Sequence, residues 1–165
     1  MKRIAILFCF LTTIGFSQQV TISPATFNVT DQITITVSTA AQTCNQLGTS
    51  PAKVYMHAGI GDDTNAFAFS VVGNWGQDDS VGLMTNNGNG TWSITITPST
   101  YFGLNGTQQT NATKLGMVFR NANGSQTLKL PPSCGDFIFN VGTFQLNLTS
   151  PANNSATIIA SGGSL

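Results

Sequence analysis

Glutamate is absent from the 165 residues, histidine occurs once, and charged side chains make up only 7% of the chain. A sequence this poor in titratable groups has few routes to acid–base chemistry. Any Ser-His-Asp arrangement would have to use His57, and nothing around Ser70 or Ser80 resembles the strained strand-to-helix turn that exposes a nucleophilic serine. Six aspartates remain, four of them in the adjacent pairs Asp62-Asp63 and Asp78-Asp79. Adjacent carboxylates in glycine-rich loops read as solvated turn residues before they read as a general acid and its base. Cysteine is also scarce, and the three present show neither CxxC spacing nor a neighbouring histidine, which removes the usual zinc and redox motifs. No apolar run is long enough to cross a bilayer as a helix, which takes about 20 residues.

What the chain does contain begins with an export pattern. Lys2 and Arg3 precede the apolar stretch Ile4 to Ile14, and Gly15-Phe16-Ser17 offers a small-residue approach to cleavage before Gln18. Residues 1–17 therefore read as a signal peptide, and the mature chain as secreted or cell-surface. Cys9 lies inside the apolar stretch with no cysteine at the cleavage point, so a lipid anchor is not expected. Without Lys2 and Arg3 the chain carries four basic against six acidic residues, a net of −2. That balance gives no electrostatic reason to expect nucleic acid or an anionic membrane as partner. Cys44 and Cys134 survive export, and in an oxidising compartment they are expected to pair as a disulfide, the other reading being two free thiols. Closing so long a loop restricts the unfolded chain and stabilises by about 4 to 5 kcal/mol.

The polarity of the mature chain is carried by Asn, Thr, Ser and Gly, a composition that suits strands joined by turns. Gln19 to Ser23 opens the domain as an edge strand ended by Pro24. Ile33, Ile35 and Val37 alternate with Thr34, Thr36 and Ser38, and Trp92, Ile94 and Ile96 alternate with Thr91, Ser93, Thr95 and Thr97. A period of two gives each strand one apolar and one polar face. Asn86-Asn87-Gly88-Asn89-Gly90 supplies residues that tolerate positive φ, and so predicts a hairpin before Trp92. Further strands are expected at Lys53 to Ala58, Phe67 to Val71, Leu115 to Arg120, Ser125 to Leu130 and Phe137 to Val141. Between them, Ser99 to Leu104 allows a short helical turn, and Gly103 to Thr113 reads as a flexible polar connection. Seven to eight short antiparallel strands without helical periodicity predict an all-β, immunoglobulin-like β-sandwich over residues 18–142. About 125 residues suffice for one such core. Residues 143–165 read as a linker and the start of a further, truncated domain.

Candidate functional residues gather on one strand face and one loop. Val54, Met56 and Ala58 face one way, while Lys53, Tyr55 and His57 face the other and can be offered to a ligand. Trp75 sits among Gly73, Asn74, Gly76 and Gln77 with no apolar rhythm, so it is either a stacking platform or a core plug. Sugar recognition needs an aromatic face together with planar polar groups, and Trp75, Asn74, Tyr55, His57 and Arg120 supply both. Each also has a plainer reading: Tyr55 and His57 as sheet-surface residues, Arg120 as a cross-strand partner of an aspartate. Trp92, which shares its face with Ile94 and Ile96, is expected in the core. Asp62, Asp63, Asp78 and Asp79 can supply oxygens to a calcium ion if their loops meet, although no calcium-loop spacing is present. Metal ligation is otherwise not expected.

Val20-Thr21-Ile22-Ser23-Pro24, Lys53-Val54-Tyr55-Met56-His57-Ala58-Gly59, Gly73-Asn74-Trp75-Gly76, Gly88-Asn89-Gly90-Thr91-Trp92 and Leu115-Gly116-Met117-Val118-Phe119-Arg120-Asn121 occur in this order along the chain. Together they resemble the N-terminal module of secreted alpha-amylase family proteins of the Bacteroidetes. The resemblance implies an immunoglobulin-like domain of the E-set type, placed ahead of a starch-degrading catalytic barrel. The segment itself is not expected to be the enzyme, because that chemistry takes two Asp and one Glu in a (β/α)8 barrel of about 250 residues. Two functions follow: a non-catalytic accessory module that binds or orients on alpha-glucan, or a purely structural spacer with no ligand. Its expected partners are the glucan and the C-terminal domains of the same parent chain.

Overall fold

The computed structural model describes residues 19–40 and 43–142. The signal-peptide reading of 1–17 and the linker reading of 143–165 lie outside the described residues.

Alternation in the sequence becomes burial in the fold. In β2 (Ile33–Ser38), Ile33, Ile35 and Val37 are fully buried, while Thr34, Thr36 and Ser38 stay partly exposed. Burying each of these three side chains contributes about 1.5–3 kcal/mol. β2 pairs with β1 (Val20–Ser23) on one side and β6 (Thr91–Ile96) on the other, with Val37 opposite Trp92 and Ile35 opposite Ile94. β5 (Thr85–Gly88) completes this sheet through the predicted Asn/Gly hairpin, where Gly88, Asn89 and Gly90 all have positive φ. Trp92 is buried, as its alternation predicts.

The second sheet centres on β3 (Tyr55–Gly61) and β7 (Lys114–Arg120), antiparallel along their whole length. β4 (Ser70–Val72) flanks β3. On the far edge of β7, β9 (Phe137–Asn140) covers its first half, and the two-residue β8 (Thr127–Leu128) pairs with its last two residues. The order β1-β2-β6-β5 over β4-β3-β7-β9 corresponds to the A-B-E-D and C′-C-F-G sheets of immunoglobulin-like sandwiches. One core joins them, with Ile33, Ile35 and Trp92 from one sheet and Met56, Ile60, Met117 and Phe119 from the other.

Three local expectations change. Only Thr127 and Leu128 of the predicted Ser125 to Leu130 strand pair with β7, because Asn123 and Ser125 form a side-chain-bonded turn and Pro131-Pro132 follows. The strand predicted at Phe67 to Val71 begins only at Ser70, since Asn65 holds the preceding residues in a turn. Within Gly103 to Thr113, Gly106–Asn111 forms a helix, α2. It follows the one-turn helix α1 (Pro98–Tyr101), which matches the expected helical turn. Asn105 and Gln108 close a reciprocal capping box at the start of α2, satisfying two backbone donors that would otherwise be orphaned. The Cys44 and Cys134 expectation holds: the two are joined, with Cα atoms 5.3 Å apart.

Candidate functional site

The outer face of β3 and β7 is made by Tyr55, His57, Gly59 and Gly61, opposite Arg120, Val118, Gly116 and Lys114. Alternation predicts this face, but solvent does not reach most of it, because two loops fold back across it. The first loop brings Phe67 onto the cross-strand pair Gly59 and Gly116. A Cβ on Gly116 would stand 2.6 Å from Phe67 Cζ, and one on Gly59 would enter the same ring. Only residues without side chains leave room for that contact.

The second loop, between β4 and β5, carries Trp75 and is fastened from below by Arg120. This guanidinium is fully buried. Its Nη2 donates to the carbonyls of Asn74 at 2.7 Å and Gln77 at 3.1 Å, and its Nη1 donates to those of Asn121 and Ala122, both at 2.9 Å. One planar fork thus ties the Trp75 loop to the turn after β7. Beneath it lies the ring of Tyr55, also fully buried, with the guanidinium carbon 4.6 Å from the ring centre. The Tyr55 hydroxyl donates to the Asp78 carboxylate, which Lys53 Nζ also reaches at 2.7 and 2.9 Å. Hydrogen bonding from Lys53, and then from Tyr55, lowers the Asp78 pKa. The same contact with Asp78, followed by burial, raises that of Tyr55.

Above this anchor Trp75 remains about half exposed, at 48%. Its ring meets His57 edge-on, with centroids 5.2 Å apart and planes at 88°. His57 Nδ1 lies 2.6 Å from the Gly73 carbonyl, and since a carbonyl only accepts, Nδ1 carries the proton. The indole also lies against Gly124, where φ is +70° and a Cβ would come within 2.7 Å of Trp75 Nε1. Asn74 is exposed and donates to the Asp79 carboxylate, whose other oxygen accepts from the Val81 amide at 3.1 Å. The hydrogen bond from Asn74 is the main cause lowering the Asp79 pKa.

Of the five residues expected to contact sugar, the fold brings Trp75, Asn74 and His57 to one partly exposed patch. Tyr55 and Arg120 correct the expectation. Both belong to the scaffold: they are fully buried, the Tyr55 hydroxyl is bonded to Asp78 of the Trp75 loop, and Arg120 gives Nη2 to that loop and Nη1 to the turn after β7, with its Nε unpartnered among the described residues. Arg120 is not bonded to an aspartate across the strands either; backbone carbonyls take that place.

No protein-family model matches the chain, and no curated protein is recognisably similar to it.

The remaining aspartates are tied into their own surroundings. Asp62 accepts from the Thr64 hydroxyl and from the amides of Thr64 and Asn65. Asp63 pairs with Lys114 at 3.0 Å and accepts from Thr113. Among the described residues, no three His, Cys, Asp or Glu side chains gather as metal ligands would. Sequence reasoning missed the contacts of Gly124, Phe67 and Asp78. The turn-forming pair Asn123-Gly124 in the sequence marks a bend, but not the seat of the indole.

What this patch can do chemically is bind. A half-exposed indole offers an apolar surface to a ring's C–H face, and Gln77, two residues along the same loop, is an exposed amide side chain.

Proposed function

We propose that the domain is a non-catalytic accessory module of a secreted alpha-amylase family protein, and that it binds or orients on alpha-glucan through the surface around Trp75. The observation that carries this reading is the indole itself, half exposed and in contact with His57 and Gly124 on a loop fixed by Arg120. Leaving that much aromatic surface in water forgoes favourable burial, and a pre-ordered ring loses little conformational freedom when a ligand stacks on it. The starch-type substrate comes from the resemblance in the five sequence segments. Tethering an attached catalytic domain to its polymer would raise the local substrate concentration without adding chemistry.

The spacer reading draws on a different observation, the burial of Tyr55 and Arg120, which turns two candidate contacts into scaffold. Affinity electrophoresis separates the two. In gels containing glycogen, the native domain should be retarded and Trp75→Ala should not, while its thermal midpoint stays nearly unchanged. Free migration of the native domain in every glucan gel would favour the spacer.

A further inference from the structure

Beside the Trp75 loop lies a cleft of about 430 Å3, bounded by the chain before β3, by Asp78 and by the turn that follows β7. We propose that this cleft is a second subsite, which takes an uncharged sugar unit of the same glycan chain that stacks on Trp75; the inference rests on the glucan-binding reading above.

Size is the first support, since small-ligand sites occupy roughly 300–1,000 Å3. Chemistry is the second. Leu47, Pro51, Ala52 and Ala122 give the cleft apolar lining, suited to the C–H face of a pyranose ring. Asn123 and Gln126 also line it, and their amide oxygens are engaged within the turn. Asn123 Oδ1 accepts from the Ser125 amide at 3.1 Å and its hydroxyl at 2.7 Å, and Gln126 Oε1 accepts from Asn121 Nδ2 at 3.2 Å. Those bonds orient both carboxamides and leave both NH2 groups without a partner among the described residues. Two fixed donors beside an apolar wall can meet neighbouring hydroxyls.

Charge defines the ligand class. Lys53, which also lines the cleft, is bonded to both oxygens of Asp78, and the buried Arg120 donates to four carbonyls. Both cations are thus already engaged and neither is left to pair with the carboxylate of an acidic ligand, whereas a neutral sugar needs no such partner. Position links this cleft to the indole. Asn123 lines the cleft and its neighbour Gly124 seats Trp75, so a short glycan crossing one turn reaches both.

The test is titration calorimetry of the chain with maltoheptaose, with polygalacturonate as the acidic control. Gln126→Ala, at an exposed position, removes one donor and should weaken binding about three- to tenfold. Ala52→Glu, also exposed, puts bulk and negative charge into the cleft and should weaken binding at least as much, with unchanged thermal midpoints in both variants. If Trp75→Ala abolishes binding while both cleft variants bind like the native chain, the cleft proposal is overturned and the glucan reading survives. Absence of maltoheptaose binding by the native chain takes down both. Polygalacturonate binding as tight as that of maltoheptaose would overturn the assignment to uncharged sugars.

Discussion

Arg120 and Tyr55 face each other across β7 and β3, with the guanidinium carbon 4.6 Å from the centre of the phenol ring. This pair is the floor on which the Trp75 loop rests. Removing the arginine takes a donor from four carbonyls, of which those of Asn74 and Asn121 keep a backbone amide, and leaves the loop without its tie. Arg120→Met should therefore cost about 2–4 kcal/mol in denaturant unfolding. Arg120→Lys should recover only part of it, because a single ammonium cannot fork to two segments. The indole resonance of Trp75 should broaden in both variants, while that of the buried Trp92 stays in place.

Phe67 and the glycine pair beneath it make a second test. Gly116→Ala drives a methyl group into the ring and should destabilise by about 1–3 kcal/mol. Combining it with Phe67→Ala should cost less than the sum of the two single changes, since the clash is then gone. Strict additivity in a double-mutant cycle would mean that the ring does not press on the glycine.

Acid should loosen the Trp75 loop before it unfolds the sandwich. Asp78 and Asp79 both have pKa values held below the ordinary 3.8, Asp78 chiefly by Lys53 and Asp79 chiefly by Asn74. For a depressed carboxylate the stabilisation is present above the unfolded value and is lost as pH falls through the folded one. Trp75 indole chemical shifts should hold steady down to about pH 4 and move below it, in a range where Asp78→Asn shows a smaller change.

At the alkaline end the sign reverses. Burial pushes the Tyr101 hydroxyl up to about 12 from 10.0, and that hydroxyl has no hydrogen-bond partner among the described residues. Between those values the unfolded chain gives up the proton while the folded one keeps it, so stability falls as pH rises from 10 toward 12. Tyr101→Phe should flatten this fall, and should hold or raise the stability at pH 7 by up to about 1 kcal/mol.

The disulfide closes a loop spanning 90 residues between Cys44 and Cys134. Thiol titration of the denatured, unreduced chain from residue 18 onward should find no free sulfhydryl. Replacing both cysteines by alanine should lower stability by about 4 to 5 kcal/mol, as loop closure no longer restricts the unfolded state.

Much of the sandwich was legible because strand faces are local. Ile33, Ile35 and Val37 announce their own burial by a spacing of two, and the Asn86 to Gly90 turn fixes where β5 and β6 reverse. α2 was missed because its outer turns are polar and it buries no side chain, although Asn105 and Gln108 carried a capping signal three residues apart. The candidate site was legible only in part. Trp75 stood out as an aromatic residue among turn formers, yet the sequence left both platform and core plug open, with core plug the more expected.

Residue pattern alone determined the two-faced strands, the hairpin turns and the pairing expected of Cys44 with Cys134, since the first two follow from backbone preferences and the third from these being the two cysteines after residue 17. Only the tertiary structure decided which outer face stays outside. The Trp75 loop folds back over Tyr55 and Arg120, residues distant from it in sequence, and that non-local contact turns two polar surface candidates into buried anchors. The same anchors hold the indole at the surface, because a guanidinium spent on backbone carbonyls fixes the loop from beneath and leaves the ring above it in solvent.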